Sequence, residues 1–275
     1  MAPRKENSPI TAAFAHARAE RRVALIPYVM AGYPDSHTSE MLAVELCRAG
    51  ATLLELGIPF SDPLADGATI QHASQKALET GMSLAGALTL AGRITPQISA
   101  PLVMMSYYNP IFNLGLKQFC KRAAAAGVAG IIVPDLPPEE AQPLTTAAGS
   151  CGIEVIFLVT PTSPNARVEQ IAAAAAESGG GFLYCVSLSG VTGARDQLPE
   201  HLAEFLARVR SYTDLPLAIG FGVARPEHIT EIGRIADGAV VASALLNAVD
   251  SVPAAERVPA AVAFLRSLQA GAHLQ

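Results

Sequence analysis

The sequence lacks the features that mark membrane, secreted and nucleic-acid-binding proteins. No run among its 275 residues reaches the roughly 18 uncharged apolar residues that a membrane helix needs. The amino-terminal segment MAPRKENSPI has basic residues, but no apolar stretch follows that would complete a signal peptide. The net charge is −5 and no basic stripe is present, which argues against binding of nucleic acid.

Cysteine is scarce, and metal-ligand spacing is missing. The four cysteines are scattered with no C-x-x-C pair, and they are Cys47, Cys120, Cys151 and Cys185. None of the six histidines recurs at a spacing such as H-E-x-x-H. We therefore expect structural thiols in a reducing environment, no disulfide and no metal site. The sequence predicts a soluble, cytoplasmic protein.

Two common catalytic arrangements are also missing. No G-x-S-x-G elbow supports a serine hydrolase. A Schiff-base aldolase needs a lysine on a strand. All four lysines lie in the amino-terminal tail or in predicted helices, namely Lys5, Lys76, Lys117 and Lys121.

Short apolar segments recur along the chain, and most are continuous, as in strands covered on both faces. The predicted strands are Val23–Met30, Thr52–Ile58, Leu102–Ser106, Ala129–Pro134, Glu154–Thr160, Gly181–Ser187, Pro216–Gly220 and Asp237–Ala242. The predicted helices between and after them are Ser39–Ala49, Leu116–Ala126, Glu139–Ala148, Asn165–Glu177, Leu198–Val209, Pro226–Ile235 and Ala254–Leu268.

Eight such strand–helix units predict a (β/α)8 TIM barrel, an α/β fold formed as a single domain over residues 1–275. We expect an extra amino-terminal helix at Pro9–Glu20 and an extra or extended helix within Thr69–Ile94. A doubly wound open sheet is the competing fold. Its G-x-G-x-x-G turn is missing after the first strand, where Gly32-Tyr-Pro-Asp stands.

The segment LELGIPFSDPLADG, residues 54–67, is the main chemical signal. Glu55 lies in a predicted buried strand, where a carboxyl group is costly unless it is used. Asp66 follows on a loop that can fold back toward it. Two carboxyl groups in such different environments are typical of divided acid and base roles. Structural explanations remain open: an ion pair for Glu55, a helix cap for Asp66, and a turn for Asp62, which precedes Pro63.

Glycine-rich turns near the last strands indicate an anion site. Gly220 and Gly222 flank the end of the seventh strand, and Ser243 opens a short helical segment after the eighth. Backbone N–H groups at such positions bind phosphate, and barrels commonly place that site after strands seven and eight. The loop 187–193 has a similar hydroxyl- and glycine-rich character. These glycines alone are equally typical of tight turns.

These segments together resemble the tryptophan synthase alpha chain family. LELGIPFSDPLADG looks like its signature. Further matching segments are Pro27–Pro34, Tyr107–Pro110, Val133–Pro137, Ser187–Gly193 and Gly220–Gly222. The resemblance implies a barrel enzyme of tryptophan biosynthesis that cleaves indole-3-glycerol phosphate to indole and glyceraldehyde 3-phosphate. It also implies an alpha2beta2 heterotetramer with a beta subunit that carries pyridoxal phosphate, and no cofactor in this chain.

The same resemblance assigns roles to individual residues. Glu55 would protonate indole C3 and help remove the 3′-hydroxyl proton, and Asp66 would accept a hydrogen bond from the indole N–H. Tyr184 resembles the active-site tyrosine, and Thr192 the loop threonine that contacts the catalytic aspartate. The phosphate would bind at Gly193, Gly220, Gly222 and Ser243. The face toward the beta subunit would include Asp62, Tyr108, Asn109 and Pro110.

The chain departs from the family pattern at two positions. Leu188 stands where some members carry arginine, and Ala242 stands where glycine is usual. Three alternatives remain open: another phosphate-binding barrel such as a sugar-phosphate isomerase, a subunit that chiefly activates its partner, and a free-standing indole-releasing lyase.

Overall fold

Nine parallel strands form a sheet in the part of the chain that the structure describes. The computed structural model describes residues 8–186, 201–220 and 222–273. The strands are β1 Ala24–Met30, β2 Leu54–Gly57, β3 Leu102–Met105, β4 Val128–Ile132, β5 Glu154–Ile156, β6 Leu158–Val159, β7 Leu183–Val186, β8 Leu217–Gly220 and β9 Gly238–Val241. Their spatial order is β5-β4-β3-β2-β1-β9-β8-β7-β6, so the sheet curls into a nearly closed barrel.

The barrel closes at the predicted fifth strand, which is divided. β5 pairs with β4 through Glu154–Ile156, whereas β6 pairs with β7 through Leu158 and Val159. Phe157 separates the two pieces, and its carbonyl accepts a hydrogen bond from the Tyr184 N–H at 3.0 Å. The eight-strand prediction is therefore correct for the fold, with one strand changing its pairing partner halfway.

Helices surround the strands, and short 3-10 turns lie next to three of them, at Thr95–Gln97, Pro138–Glu140 and Ala254–Glu256. They are α1 Pro9–Ala19, α2 Ser36–Arg48, α3 Ala68–Glu79, α4 Leu84–Ile94, α5 Tyr108–Leu114, α6 Leu116–Ala125, α7 Gln142–Ser150, α8 Asn165–Glu177, α9 Leu202–Arg210, α10 Pro226–Ile232, α11 Ser243–Asp250 and α12 Arg257–Gln269. The predicted extra helices are confirmed as α1 and as the pair α3 and α4.

Local sequence explains several helix ends. Ser8 caps α1 by accepting a hydrogen bond from the Thr11 N–H at 3.0 Å, and a proline follows it. The α3 and α4 pair is separated by Gly81, whose φ of +85° suits glycine, and by the cap Ser83. The sequence did not predict α5, because seven residues are too few to show a helical period.

The two largest apolar clusters of buried residues hold the barrel together. The larger lies between strands and helices and includes Leu54 of β2 and Phe119 of α6. The smaller fills the barrel interior at the amino ends of the strands, where Ile10 and Phe14 of α1 pack with Phe182, the residue before β7. The rings of Phe14 and Phe182 lie 5.4 Å apart. This end of the barrel is closed by α1.

Three features that the sequence lacks are a membrane-spanning run, a disulfide pattern and a metal-ligand spacing. None of the helices in the described ranges combines the length and apolar character needed to cross a membrane. All four cysteines lie in the described ranges and are free, three of them buried. Residues 8–186, 201–220 and 222–273 contain no cluster of acidic, histidine or cysteine side chains that could hold a metal ion.

Candidate active site

A cavity of about 980 Å³ opens at the carboxyl ends of the strands. It is the position at which TIM-barrel enzymes place their chemistry. Six side chains or glycines predicted from the sequence line this one cavity: Glu55, Asp66, Tyr184, Gly220, Gly222 and Ser243. Thr192, Gly193 and Leu188 lie outside the described residues. The structure therefore brings the two carboxyl groups and the glycine-rich turns to the same space.

Glu55 is fully enclosed, with 1% of its surface exposed. It lies in the middle of β2, and neither of its carboxyl oxygens has a hydrogen-bond partner within the described residues. Burial raises the pKa of Glu55 to about 8, and the negative charge of Asp66 contributes in the same direction. A structural ion pair therefore does not explain Glu55, which carries its proton at neutral pH.

Asp66 is half-buried on the loop between β2 and α3. Burial raises the pKa of Asp66 to about 6, and a hydrogen bond from Tyr107 opposes the rise. Gly67, not Asp66, is the N-cap of α3, so the capping explanation is wrong. Because the pKa of Asp66 lies below 7 and that of Glu55 above it, the cavity holds one anion and one acid at neutral pH.

Tyr107 supports Asp66 and was missed as a site residue, since the sequence assigned its segment to partner contacts. Its hydroxyl accepts a hydrogen bond from the Ala65 N–H at 2.8 Å and donates one to Asp66. Its ring stacks on Phe60 with centroids 5.1 Å apart. Tyr107 thus ties the loop that carries Asp66 to the end of β3. Its position directly after a predicted strand is the signal that could have revealed it.

Tyr184 extends from β7 across the neighbouring strand β8. A Cβ atom at Gly220 would lie 2.4 Å from Cε1 of the Tyr184 ring, so only glycine leaves room for the ring. Burial, together with the charges of Glu55 and Asp66, holds the pKa of Tyr184 well above its usual value. Tyr184 is therefore a neutral phenol beside the two carboxyl groups. The sequence predicts Gly220 as a phosphate ligand. In the structure, the absence of a side chain at Gly220 makes room for the Tyr184 ring.

The start of α11, which follows β9 beside β8, also lines the cavity. Ser243 is the first residue of this helix, and the preceding Ala242 provides no side-chain cap. The first N–H groups of a helix lack intrahelical partners and favour an anion. Gly222, Ala242 and Ser243 all line the cavity. The methyl group of Ala242 leaves these backbone donors in place.

The residues predicted to face a partner lie at the same end of the barrel. Asp62 is exposed on the loop between β2 and α3, and its carboxylate accepts a hydrogen bond from Ser61 at 2.5 Å. Tyr108, Asn109 and Pro110 form the first turn of α5. The Tyr108 N–H donates to Asp135 at 2.9 Å.

Two further observations concern the basic residues, one that lines the cavity and three that do not. Arg167 of α8 lines the cavity and forms an ion pair with Glu139, and no sequence pattern pointed to either residue. The lysines of the described ranges, Lys76, Lys117 and Lys121, do not line the cavity, as the sequence predicted. Within the described ranges, no lysine is available in the cavity for a Schiff base.

Comparisons with known proteins agree with this geometry. Residues 14–272 match the family model described as tryptophan synthase alpha chain. The chain belongs to the tryptophan synthase alpha chain family. It is 50% identical to the alpha chain of Roseiflexus sp. (strain RS-1), with 95% of this chain and 99% of the relative covered. It is 46% identical to that of Dehalococcoides mccartyi, with 91% and 95% covered.

Solved structures give the same result. The chain superposes on a structure of Mycobacterium tuberculosis tryptophan synthase with a TM-score of 0.89 and 35% identity, covering 98% of this chain and 99% of that one. Against the alpha subunit from Legionella pneumophila str. Paris, the TM-score is 0.87 at 32% identity, with 96% and 98% covered.

Family membership gives the activity. This chain is a carbon–carbon lyase of tryptophan biosynthesis, which splits indole-3-glycerol phosphate into indole and glyceraldehyde 3-phosphate. The TIM-barrel prediction and the family resemblance are confirmed. The alternative of a sugar-phosphate isomerase is wrong.

Proposed function

We propose that Glu55 is the general acid of this cleavage and Asp66 the anion that balances charge on the indole ring. The observation that carries the proposal is that two carboxyl groups in one cavity have different pKa values, about 8 for Glu55 and about 6 for Asp66. Glu55 is buried without a partner among the described residues, and Asp66 sits on the half-buried loop with a hydrogen bond from Tyr107. An acid must hold a proton at working pH, and a counter-anion must not.

The first step is protonation of the aromatic ring. Glu55 transfers its proton to indole C3, which leaves a positive charge shared with the ring nitrogen. Asp66 accepts a hydrogen bond from that N–H and stabilises the charge because it is ionised. The cavity wall around Glu55 is largely apolar, including Met105 and Phe157, so water competes weakly for the proton.

The second step breaks the carbon–carbon bond. The 3′-hydroxyl loses its proton to the Glu55 carboxylate, its C–O bond becomes a carbonyl, and the electrons of the C3–C3′ bond return to the ring. Indole and glyceraldehyde 3-phosphate result, and Glu55 regains its proton. One proton enters at C3 and one leaves from the hydroxyl, so no cofactor is needed in this chain.

We assign the remaining predicted residues by the same geometry and resemblance. Tyr184 contacts the substrate as a neutral phenol between the acids and the glycine turns. Gly220, Gly222 and Ser243 surround the phosphate, with Gly193 as a further backbone donor. Thr192 would contact Asp66.

We also propose that the chain assembles with a tryptophan synthase beta subunit into an alpha2beta2 heterotetramer, in which the beta partner holds pyridoxal phosphate. An exposed apolar surface supports a docking face near Asp62 and Tyr108. Leu64 is 93% and Phe112 61% exposed, and both lie on the segments that carry those residues. Large apolar side chains so exposed are typical of interaction surfaces.

Residues 1–275 are further proposed to form a single domain that works in the cytoplasm. The two ends of the described chain support this, because α1 packs into the barrel and α12 packs on α2, α10 and α11. The backbones of Arg22 and His273 form an isolated antiparallel β-bridge, which joins the two ends of the described chain. The four free cysteines fit a reducing compartment.

The decisive experiment is indole release from indole-3-glycerol phosphate, measured with and without a beta subunit. Glu55→Gln should lower kcat by about 10³-fold, because a general acid contributes roughly 10²- to 10⁴-fold. The matched control is Glu177→Gln, an exposed glutamate at the end of α8. It should retain wild-type turnover.

Near-wild-type turnover by Glu55→Gln would overturn the assignment of the acid. The beta subunit should raise turnover of the wild-type chain and leave Glu55→Gln inactive. If Asp62→Ala and wild type respond equally to added beta subunit, the proposed docking face is wrong.

A further inference from the structure

Tyr28 is a buried tyrosine beside the proposed acid that neither the sequence patterns nor the family resemblance singled out as functional. It lies on β1 and is the register partner of Glu55 on β2. Both side chains line the cavity, and Tyr28 is only 3% exposed. Partners in register on adjacent strands with side chains on the same face are close neighbours. The Tyr28 ring therefore packs alongside Glu55.

The Tyr28 hydroxyl sits over the end of β2. A Cβ atom at Gly57 would lie 1.9 Å from the Tyr28 oxygen, so the hydroxyl occupies the space that any other residue at this position would fill. Gly57 is two residues beyond Glu55 and faces the same side of the sheet. The hydroxyl is thus held between the Glu55 position and the loop that leads to Asp66.

This arrangement repeats that of the other active-site tyrosine. Tyr184 of β7 leans over Gly220 of β8, as Tyr28 of β1 leans over Gly57 of β2. In each pair, a glycine at the carboxyl end of the next strand receives a phenol ring. The barrel therefore presents two tyrosine hydroxyls to the cavity that holds Glu55.

The hydrogen-bond acceptor that the Tyr28 hydroxyl has in this structure is a weak one. Within the described residues its hydrogen-bond partner is the sulfur of Met30 at 3.9 Å, and a thioether is a weak acceptor. Both oxygens of Glu55 lack partners in the same part of the structure. A carboxylate formed at Glu55 would be a far stronger acceptor than the sulfur.

We propose that Tyr28 is a positioning residue for the acid: its hydroxyl turns from Met30 to donate a hydrogen bond to the Glu55 carboxylate that forms when the substrate is protonated. Tyr28 keeps its own proton throughout, so the proton balance of the reaction is unchanged. The hydrogen bond stabilises the product side of the proton transfer and holds the carboxylate for its second role as base. This inference rests on the proposed role of Glu55.

The charged and titratable groups around Glu55 influence the pKa that a pH titration of this residue would measure. Asp66 from the following loop is the ionised neighbour, and it acts to raise the pKa of Glu55. Tyr107 and Tyr184 face the same cluster and interact electrostatically with Tyr28. Burial keeps the pKa of Tyr28 well above its usual value, so Tyr28 acts as a neutral donor over the working pH range.

The test is Tyr28→Phe, which removes one oxygen and keeps the ring over Gly57. We expect kcat about ten-fold lower with little change in KM, because a hydrogen bond to a charged group is lost at the proton-transfer step. The alkaline limb of the kcat profile should move up by about one pH unit, since the carboxylate loses a donor. Tyr33→Phe, which removes a hydroxyl bonded to Asp250 outside the cavity lining, is the control and should leave both quantities unchanged.

A second measurement is independent of turnover. Carbon-detected NMR of ¹³C-labelled glutamate carboxyl groups, with Glu55→Gln to identify the signal, gives the pKa of Glu55 in the free protein. Tyr28→Phe should raise that pKa. An unchanged Glu55 titration and an unchanged kcat limb would overturn the proposal, as would a rise in KM alone, which would indicate a substrate contact.

The failure of this inference is distinguishable from failure of the proposed function. If Glu55→Gln is inactive and Tyr28→Phe behaves as wild type, only the role of Tyr28 is wrong. If Glu55→Gln remains active, the assignment of the acid itself fails.

Discussion

The two ends of the barrel use the same strands for opposite purposes. Toward the amino ends, inward side chains such as Ala24 and Ile26 of β1 pack against Phe14 of α1. One step further along, the inward positions become Tyr28 of β1 and Glu55 of β2, and they line a cavity. The closed end is apolar and filled, whereas the open end buries polar groups around the cavity.

The difference shows where burial stabilises and where it is used for chemistry. At the closed end, apolar area removed from water contributes directly to stability. At the open end, enclosing Glu55 without a partner among the described residues costs stability and keeps a proton on its carboxyl group. Mutations at the two ends should therefore separate stability from activity.

The largest expected effect on stability lies at the closed end. Phe14→Ala removes a ring that is 4% exposed and packed on Phe182, and should lower the free energy of unfolding by about 3–5 kcal/mol. Urea denaturation measures this change. Turnover of the remaining folded protein should be unchanged, because Phe14 does not line the cavity.

The matched control is Phe112→Ala, whose ring is 61% exposed. Its free energy of unfolding should stay within about 0.5 kcal/mol of wild type. Equal effects of the two substitutions would contradict the contrast between a packed end and an open one.

The second effect is the pH dependence of stability at the open end. The pKa of Glu55 is raised from 4.5 to about 8 by folding, so the folded state holds a proton that the unfolded state has released. Its stabilising contribution is complete below about pH 4.5 and is lost as the pH rises toward 8. We expect a loss of about 2–4 kcal/mol across this range in wild type.

Glu55→Gln should flatten this pH dependence of stability, most clearly between pH 6 and 8. Asp66 has a pKa of about 6 and is mostly ionised in this range, so Glu55 is the member of the pair that contributes most to the slope. Urea denaturation at a series of pH values measures the slope. Parallel curves for wild type and Glu55→Gln would show that the buried carboxyl group carries no such cost.

The smallest expected effect concerns the phosphate wall. Ser243→Ala removes one hydroxyl but leaves the backbone N–H groups at the start of α11, so KM should rise only about three-fold with kcat unchanged. Ser267→Ala on α12 is a control outside the cavity lining. A loss of binding greater than about 100-fold would mean that the side chain, and not the helix terminus, holds the phosphate.

The sequence by itself determined the barrel and the candidates for its chemistry. Continuous apolar runs predicted the buried strands, and the Pro- and Gly-rich segment after Leu56 predicted a loop, because these patterns depend on neighbouring residues. The contrast between Glu55 and Asp66 followed from the same local reasoning. The short helix α5 was missed because it is too brief to show a period.

The tertiary structure decided what the candidates contact. The hydroxyl of Tyr107 reaches the loop 42 residues earlier in the chain, and Tyr28 leans on Gly57 of the next strand. The division of the fifth strand at Phe157 likewise depends on two different neighbours. Such contacts join residues far apart in sequence, and only closure of the barrel sets their distances, so no local pattern can encode them.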